Sequence, residues 1–312
     1  MNNKEKNFMS AIIYVHNAQN QIEQFLTMVM RVLEEHFEHS EIICVNDFSM
    51  DDSASVIKEV SKNASSTTIS LINLSYYHGL ETAMNAGMDL AIGDFVLEFD
   101  AVKADFEQQE IMNVYRKALE GYDIVSASPD VKPRLSSKLF YMVFNQAANL
   151  RAAIGTERFR VLSRRVINRI SDMNKTMPYR KAAYANCGLR TANITYQVTE
   201  TEKAKVDRRE RQYRRGLAID TLILFTNVGY QFSVGMTAIM MFVAVFMALY
   251  TIIIYLLSNP VAGWTTTVLF MAFAFFGLFG ILTIIIKYLQ ILVSLIFRRK
   301  KYSFESIEKL TK

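Results

Sequence analysis

The sequence predicts an α/β fold: a Rossmann-like, mostly parallel sheet covered by helices, followed by interfacial helices and a two-helix transmembrane hairpin. Three observations predict it. Up to about residue 125, short apolar runs alternate with helical stretches. No Asp, Glu, Lys or Arg occurs in the 66 residues from Thr221 to Ile286. The charge is polarised as well, with 8 Lys+Arg against 19 Asp+Glu in residues 1–120 and 27 against 11 in the rest of the chain.

The apolar runs Met9–Val15, Glu41–Val45, Thr68–Leu74 and Asp94–Phe99 read as strands, and the stretches Asn20–Glu35, Asp52–Lys62 and Gly79–Ala91 between them as helices. This βαβαβαβ order implies parallel strands joined by crossover helices. Ligands of such sheets sit beyond the carboxyl ends of the strands, where His16, Asp47 and Asp100 fall. Ser136–Asn149 then reads as an amphipathic helix. In Thr156–Ile170 apolar residues alternate with five arginines, and Tyr184–Val198 adds more strand-like residues.

After Thr199 the composition changes. Seven Lys and Arg between Lys203 and Arg215 make a basic segment that reads as lying on an anionic leaflet just before the uncharged run. As one helix that run would reach roughly 100 Å, against a hydrocarbon thickness of about 30 Å, so it must fold back. Ser258–Trp264 is a turn cluster, which gives spans near 232–257 and 265–297, closed by Arg298–Lys301. Basic clusters on both outer flanks put both termini and the sheet domain in the cytoplasm, at the inner (plasma) membrane. The division expected is 1–203 for the sheet domain, 204–231 for the juxtamembrane segment, 232–297 for the spans and 298–312 for a basic tail. Lys287 inside the second span needs a partner or a snorkelling route. Gly235, Gly277 and Gly280 allow close helix approach within the chain or in a homo-oligomer.

Several function classes are excluded. The basic half flanks hydrophobic spans and the single Trp lies among apolar residues, so no platform for nucleic acid is present. Cys44 and Cys187 have no metal-ligand spacing, and His36, His39 and His78 have none either. No signal peptide precedes the first strand, because Phe8–Val15 is short and lacks a cleavage site.

The chemistry-bearing residues cluster at strand ends. Asp47 in Asn46–Ser53 can accept hydrogen bonds from the N–H edge of a base, with Tyr14, His16, Asn17 and Ser49 beside it as nucleotide-binding candidates; Asp51 and Ser53 read rather as helix caps. Asp100 ends the strand of Gly93–Asp100, where Mg²⁺ or Mn²⁺ bridging the carboxylate and a diphosphate would neutralise a leaving group. An ionised lipid phosphate needs positioning and charge neutralisation more than a strong base, and Arg134, Lys138, Arg158, Arg160 and Arg164 are the candidates to supply them.

The ordered set VNDxSxDxS, GxxxAMxAGxDxAxGDxVxxxD, SKLFY, FRVLSRR and PVAGWT, with a span after it, resembles the family 2 glycosyltransferases of the polyprenyl-phosphate type. The resemblance implies a GT-A fold, a nucleotide-sugar donor, a polyprenyl-phosphate acceptor and a lipid-linked sugar product. By it Asp47 binds the base, Asp94 supports the catalytic site and Asp100 is the first acid of a metal-binding DxD. The chain departs from the pattern where Val102 replaces the second acid, Ala18 an acid, Tyr77 an asparagine and Arg158 an aspartate. Those departures leave a second expectation, a catalytically silent relative that binds nucleotide or lipid as a scaffold or regulator.

Overall fold

The computed structural model describes residues 4–131, 135–147, 154–173, 179–199 and 302–311, with scattered helical residues between 216 and 292. Eight strands form one sheet: β1 (Met9–Val15), β2 (Ser40–Asn46), β3 (Thr68–Leu74), β4 (Phe95–Phe99), β5 (Ile124–Pro129), β6 (Phe159–Ser163), β7 (Thr191–Tyr196) and β8 (Phe304–Lys309). Their spatial order is β7-β5-β6-β4-β1-β2-β3-β8. β1, β2, β3 and β4 pair in parallel, β5 pairs in parallel with β7, β6 runs antiparallel to β4 and β5, and β8 runs antiparallel to β3. The chain steps outward from β1 to β3 and then crosses back to β4 on the other side of β1. That reversal makes the carboxyl ends of β1 and β4 the switch point at which such sheets bind ligands.

Among the described residues seven helices are present: α1 (Ile22–His36), α2 (Ser53–Ser61), α3 (Leu80–Leu90), α4 (Gln109–Leu119), α5 (Leu135–Ala147), α6 (Arg164–Met173) and α7 (Arg180–Asn186). Alternation along β1 sends Ala11 and Ile13 into one core with α1 and α4, and Ile12 into a second core with α3, α6 and α7. α1 forms because Ile22, Phe25, Leu26, Val29, Met30, Val32 and Leu33 recur at helical spacing and are all buried. Their burial is worth roughly 10–20 kcal/mol before chain entropy is counted. α3 lies unusually close to the sheet, since a Cβ on Gly87 would stand 2.5 Å from Ile12 Cγ2 and 2.9 Å from Val45 Cγ2.

The expected elements up to Phe99 are present, β1 and β3 with the expected bounds and the others with ends shifted by at most two residues. Downstream, the structure corrects the reading of three segments. Thr156–Ile170 resolves into β6 and the start of α6. Tyr184–Asn186 closes α7 instead of opening a strand. Residues 304–309, expected as part of a basic tail, form the edge strand β8 on β3, with Thr311 Oγ1 accepting from Ile69 N at 2.8 Å and Lys58 pairing with Glu308 at 2.7 Å. Phe304, Glu305, Ile307 and Lys309 are exposed and Ser306 and Glu308 half-buried, a pattern that suits an edge strand.

By internal contacts the chain divides into residues 1–145, 150–217 and 300–312 in one unit and 146–149 with 218–299 in the other. Most of the expected spans and of the basic juxtamembrane segment lies outside the described residues, and no helix among the described residues is long and apolar enough to cross a membrane. Within the second unit Gly277 faces Met240, and a Cβ there would stand 2.6 Å from Met240 Sδ; at Gly235 and Gly280 nothing among the described residues lies within 4 Å. The close approach at Gly277 is therefore made inside the chain.

Candidate active site

Asp47 follows β2 and is fully buried. Its Oδ1 accepts from His78 N at 2.7 Å, and its Oδ2 from Gly79 N at 2.8 Å and Tyr14 Oη at 3.0 Å. Gly79 takes φ 83, open to glycine at no steric cost, so that these successive N–H groups can converge on one carboxylate. Burial raises the Asp47 carboxyl above its ordinary range, and the three donors only partly offset this. Burial and the adjacent Asp47 charge likewise push the Tyr14 phenol well up. Asp47 thus anchors the start of α3 and has no exposed edge for a base, which corrects its assignment as the free base acceptor.

Around Asp47 the loops after β1 and β2 are laced together. His16 Nδ1 donates to Asp47 O at 2.7 Å, Asn17 N to Ser49 Oγ at 3.0 Å and Met50 N to Asn17 Oδ1 at 2.8 Å. Asn17 and Phe48 hold φ 48 and 55, left-handed conformations that cost of order 1–3 kcal/mol each and that concentrate at functional ends of folds. Tyr77 packs on His16 with ring centroids 4.8 Å apart, and Tyr76 stacks on His78 at 3.9 Å. The structure therefore does gather Tyr14, His16, Asn17, Asp47 and Ser49. Tyr14, Asn17 and Ser49 spend the groups named here on one another and on the loops, while His16 and the exposed Asn17 lie at the surface of the cluster. Asp51 accepts from Ser53 N at 3.1 Å and Gln19 N at 3.0 Å, one residue before the N-cap of α2, which is Asp52 and makes no side-chain cap bond.

Asp100 lies at the carboxyl end of β4, as expected, but it is not free. Its Oδ2 accepts from Arg160 Nη2 at 2.7 Å and its Oδ1 from Arg180 Nη2 at 2.8 Å. Glu98, two residues back on the same face, binds Arg160 Nη1 at 2.8 Å, Arg180 Nη1 at 2.5 Å and Tyr184 Oη at 2.9 Å. Glu81 of α3 takes Arg180 N at 2.9 Å and Nε at 3.0 Å. Both guanidiniums are essentially inaccessible, at 0% and 1% exposure. Burial alone would raise the Asp100 carboxyl; the charges of Arg160, then Arg180 and Lys181, outweigh it and hold the group well below the usual carboxylate range. Burial pushes the Tyr184 phenol up, reinforced by the Glu98 charge.

This cluster overturns two assignments. Arg160 is not an acceptor-phosphate ligand, because β4–β6 register places it opposite Glu98 inside the sheet domain. Asp100 does not fit as a ligand for Mg²⁺ or Mn²⁺, because both of its oxygens are held by guanidiniums. Among the described residues no group of three His, Cys, Asp or Glu could hold a metal. Asp105, the next acid after Val102, is 1% exposed and accepts from Tyr196 Oη at 3.1 Å, with Lys103 at 3.1 Å and Arg158 at 3.4 Å.

Two further expected site residues lie at the opposite end of the strands, the amino end of β4. Asp94 precedes β4 and accepts from Phe8 N at 2.8 Å, while its carbonyl accepts from Arg164 N at 2.9 Å. Arg164 follows β6, which runs antiparallel, and its side chain donates to Ala91 O at 3.0 Å and Gly93 O at 2.9 Å. They close the amino end of β4, away from its carboxyl end. Arg158, by contrast, precedes β6 at the carboxyl edge with its side chain 42% exposed. Lys138 is an exposed residue of α5, and Arg134 lies outside the described residues.

Sequence reasoning missed Glu81, Arg180 and Tyr184. The Arg180–Tyr184 spacing of four residues, one face of a helix, was a signal; nothing local pointed to Glu81. A cavity of about 230 Å³ beside the cluster is lined by Glu157, Lys181, Tyr184, Ser126 and Asn193 among others, and neither Asp47 nor Asp100 lines it.

Comparison with known proteins completes the picture. An uncharacterised glycosyltransferase of Synechocystis is 29% identical over 194 residues, 60% of this chain and 60% of that one. The undecaprenyl-phosphate 4-deoxy-4-formamido-L-arabinose transferase of Shewanella sediminis is 30% identical over 125 residues, 39% of this chain and 37% of that one. The matches thus span less than two thirds of either relative. In structure, the glucosyl-3-phosphoglycerate synthase of Mycobacterium tuberculosis aligns with TM-score 0.51 and 13% identity, over 71% of this chain and 81% of that one, a likeness of fold. Residues 10–170 match the model of glycosyl transferase family 2, and they carry β1 to β6, the Asp47 loop and the Asp100–Arg160 pair. The chain belongs to glycosyl transferase family 2.

Proposed function

We propose that the chain is a membrane-anchored inverting glycosyltransferase that moves one sugar from a nucleotide sugar to a polyprenyl phosphate of the undecaprenyl type, for synthesis of cell-envelope or surface glycan. The sheet domain and both termini face the cytoplasm, at the inner (plasma) membrane. The observation that carries the reading is the family 2 domain with its strand ends converging on the β1–β4 switch point, joined to a 66-residue uncharged run. The relatives support the acceptor, since several are named undecaprenyl-phosphate sugar transferases.

The membrane part draws support from β8. The hydrophobic run leaves the sheet-domain unit after Leu217 and the chain returns to the same sheet at Phe304. A segment that begins and ends on one side crosses a bilayer an even number of times, which favours two spans. The Gly277–Met240 approach supports the fold-back, since it brings a residue of the second expected span against one of the first.

In the transfer, the ionised lipid phosphate attacks the anomeric carbon, the bond to the nucleoside diphosphate breaks on the opposite face, and the configuration inverts. The chain's task is to position the two phosphates and to offset their charge. Arg158 at the carboxyl edge and the basic run Arg208–Arg215 are the groups assigned to the acceptor side. A second reading, a silent relative that scaffolds or regulates, is favoured by the complete burial of Asp47 and by the pairing of Asp100 with two arginines.

One experiment separates them. Purified full-length protein is incubated with undecaprenyl phosphate and a panel of labelled nucleotide sugars, with and without Mg²⁺ or Mn²⁺, beside Asp100→Ala. Label in the lipid fraction supports the transferase. If no donor is consumed and none is bound, the enzyme reading fails.

A further inference from the structure

Divalent Mg²⁺ takes oxygen ligands at about 2.0–2.1 Å in near-octahedral geometry and is held by carboxylates with lone pairs to spare. The site at the end of β4 is built the other way round. Asp100 meets a guanidinium on each oxygen, at 2.7 and 2.8 Å, and Glu98 meets the same two guanidiniums at 2.8 and 2.5 Å. The residue two places beyond Asp100 is Val102, apolar and 6% exposed within the core shared by Phe99 and Phe106. A second observation points the same way. Among the described residues the buried side-chain polar atom without a hydrogen-bond partner is Arg160 Nε, a donor. A vacated cation site would leave orphaned carboxylate oxygens; this cluster has a surplus N–H instead.

We propose that this chain has replaced the divalent cation with protein: Arg160 and Arg180 together carry the charge of such an ion, occupy the carboxylates of β4 and α3, and leave a site that works without metal. Arg160 enters from β6 by its register opposite Glu98, and Arg180 from the first turn of α7, so the replacement needs both elements docked on β4. The nucleotide-binding part of the proposal rests on the transferase reading above; the cation part stands without it.

The test titrates Mn²⁺ into full-length protein in detergent and follows the free-ion signal by electron paramagnetic resonance. The expected signal matches that of a protein-free blank. Loss of free Mn²⁺ that Asp100→Asn abolishes would overturn the proposal. Arg180→Met, which strips the shared partner from Glu81, Glu98 and Asp100, is expected to gain Mn²⁺ binding; if it does not fold, the wild-type titration decides alone. A parallel measurement follows binding of nucleoside diphosphates, with Kd in EDTA expected within about twofold of Kd in Mn²⁺. Nucleotide binding that requires Mn²⁺ overturns the proposal. Failure to bind nucleotide under either condition removes the transferase reading, while the Mn²⁺ titration still decides the cation question.

Discussion

Arg180→Ala tests the ion cluster most directly. Arg180 is 1% exposed and donates to Glu81, Glu98 and Asp100 at 2.5–3.0 Å. At an effective dielectric near 20, a pair of unit charges about 4 Å apart attracts by roughly 4 kcal/mol, so three pairs give a gross attraction of about 12 kcal/mol. Most of that offsets the cost of taking the charges out of water. What the substitution reveals is the penalty of leaving carboxylates buried without their partner, about 3–5 kcal/mol. For a domain of this size each kcal/mol moves the melting temperature by about 2–4 °C, so the variant is expected to melt roughly 6–20 °C lower. Circular dichroism of the full-length chain at pH 7 reads the change. The pH dependence has a fixed sign. The Asp100 carboxyl is held well below its unfolded value of about 3.9, so its stabilisation is fully present above that pH and is lost as pH falls further. The gap between parent and variant should therefore narrow in acid. A variant that melts within about 2 °C of the parent at pH 7 would refute the reasoning, because the carboxylates would then not depend on Arg180. Glu81→Gln combined with Arg180→Met should cost less than the sum of the two single changes, by about 0.5–3 kcal/mol.

Tyr14→Phe removes one of three donors to the buried Asp47 and should cost about 1–2 kcal/mol in urea denaturation. Gly87→Ala forces a methyl to within 2.5 Å of Ile12 Cγ2 and should destabilise by about 1–3 kcal/mol, part of which Ile12→Ala relieves; additive costs in the double variant would contradict the close packing of α3. Lys58→Ala breaks an ion pair whose side chains are 45% and 37% exposed, and it should change stability by less than about 1 kcal/mol. Ending the chain before Tyr302 removes β8 altogether, and amide hydrogen exchange across Thr68–Leu74 is expected to accelerate; unchanged exchange would show that the β3 edge does not rely on β8.

Much of the fold was legible because its signals are local. Apolar runs of strand length and a buried stripe such as Ile22–Leu33 need no knowledge of the rest of the chain, and the elements to Phe99 follow from them. β6 was harder. Phe159–Ser163 alternates apolar residues with an arginine, and the antiparallel partner that buries that arginine lies about 60 residues away. β8 was invisible for a similar reason: Phe304–Lys309 is too polar to announce a strand until the β3 edge offers it hydrogen bonds.

The candidate site divides in the same way. The positions of Asp47 and Asp100 at strand ends follow from sequence, because a strand's length and direction determine what comes after it. Their availability does not. Asp47 is closed by Tyr14 and by the amides that open α3, and Asp100 by arginines drawn from β6 and α7. Asp94 and Arg164 look like site residues in the motif, yet they stand at the other end of the strands, because β4 runs between Asp94 and Asp100 and β6 points the opposite way.

By itself the sequence determined the family, the α/β class, the long uncharged run and the end of the sheet at which the acids gather, all of which depend on residue spacing along one chain. Only the tertiary structure decided whether those acids face a ligand or a neighbour. That choice depends on register and helix docking, which bring Glu98, Arg160 and Arg180 within hydrogen-bond distance across 62 and 82 residues of chain. In a buried site the partner that arrives takes the carboxylate, and here the partners are guanidiniums.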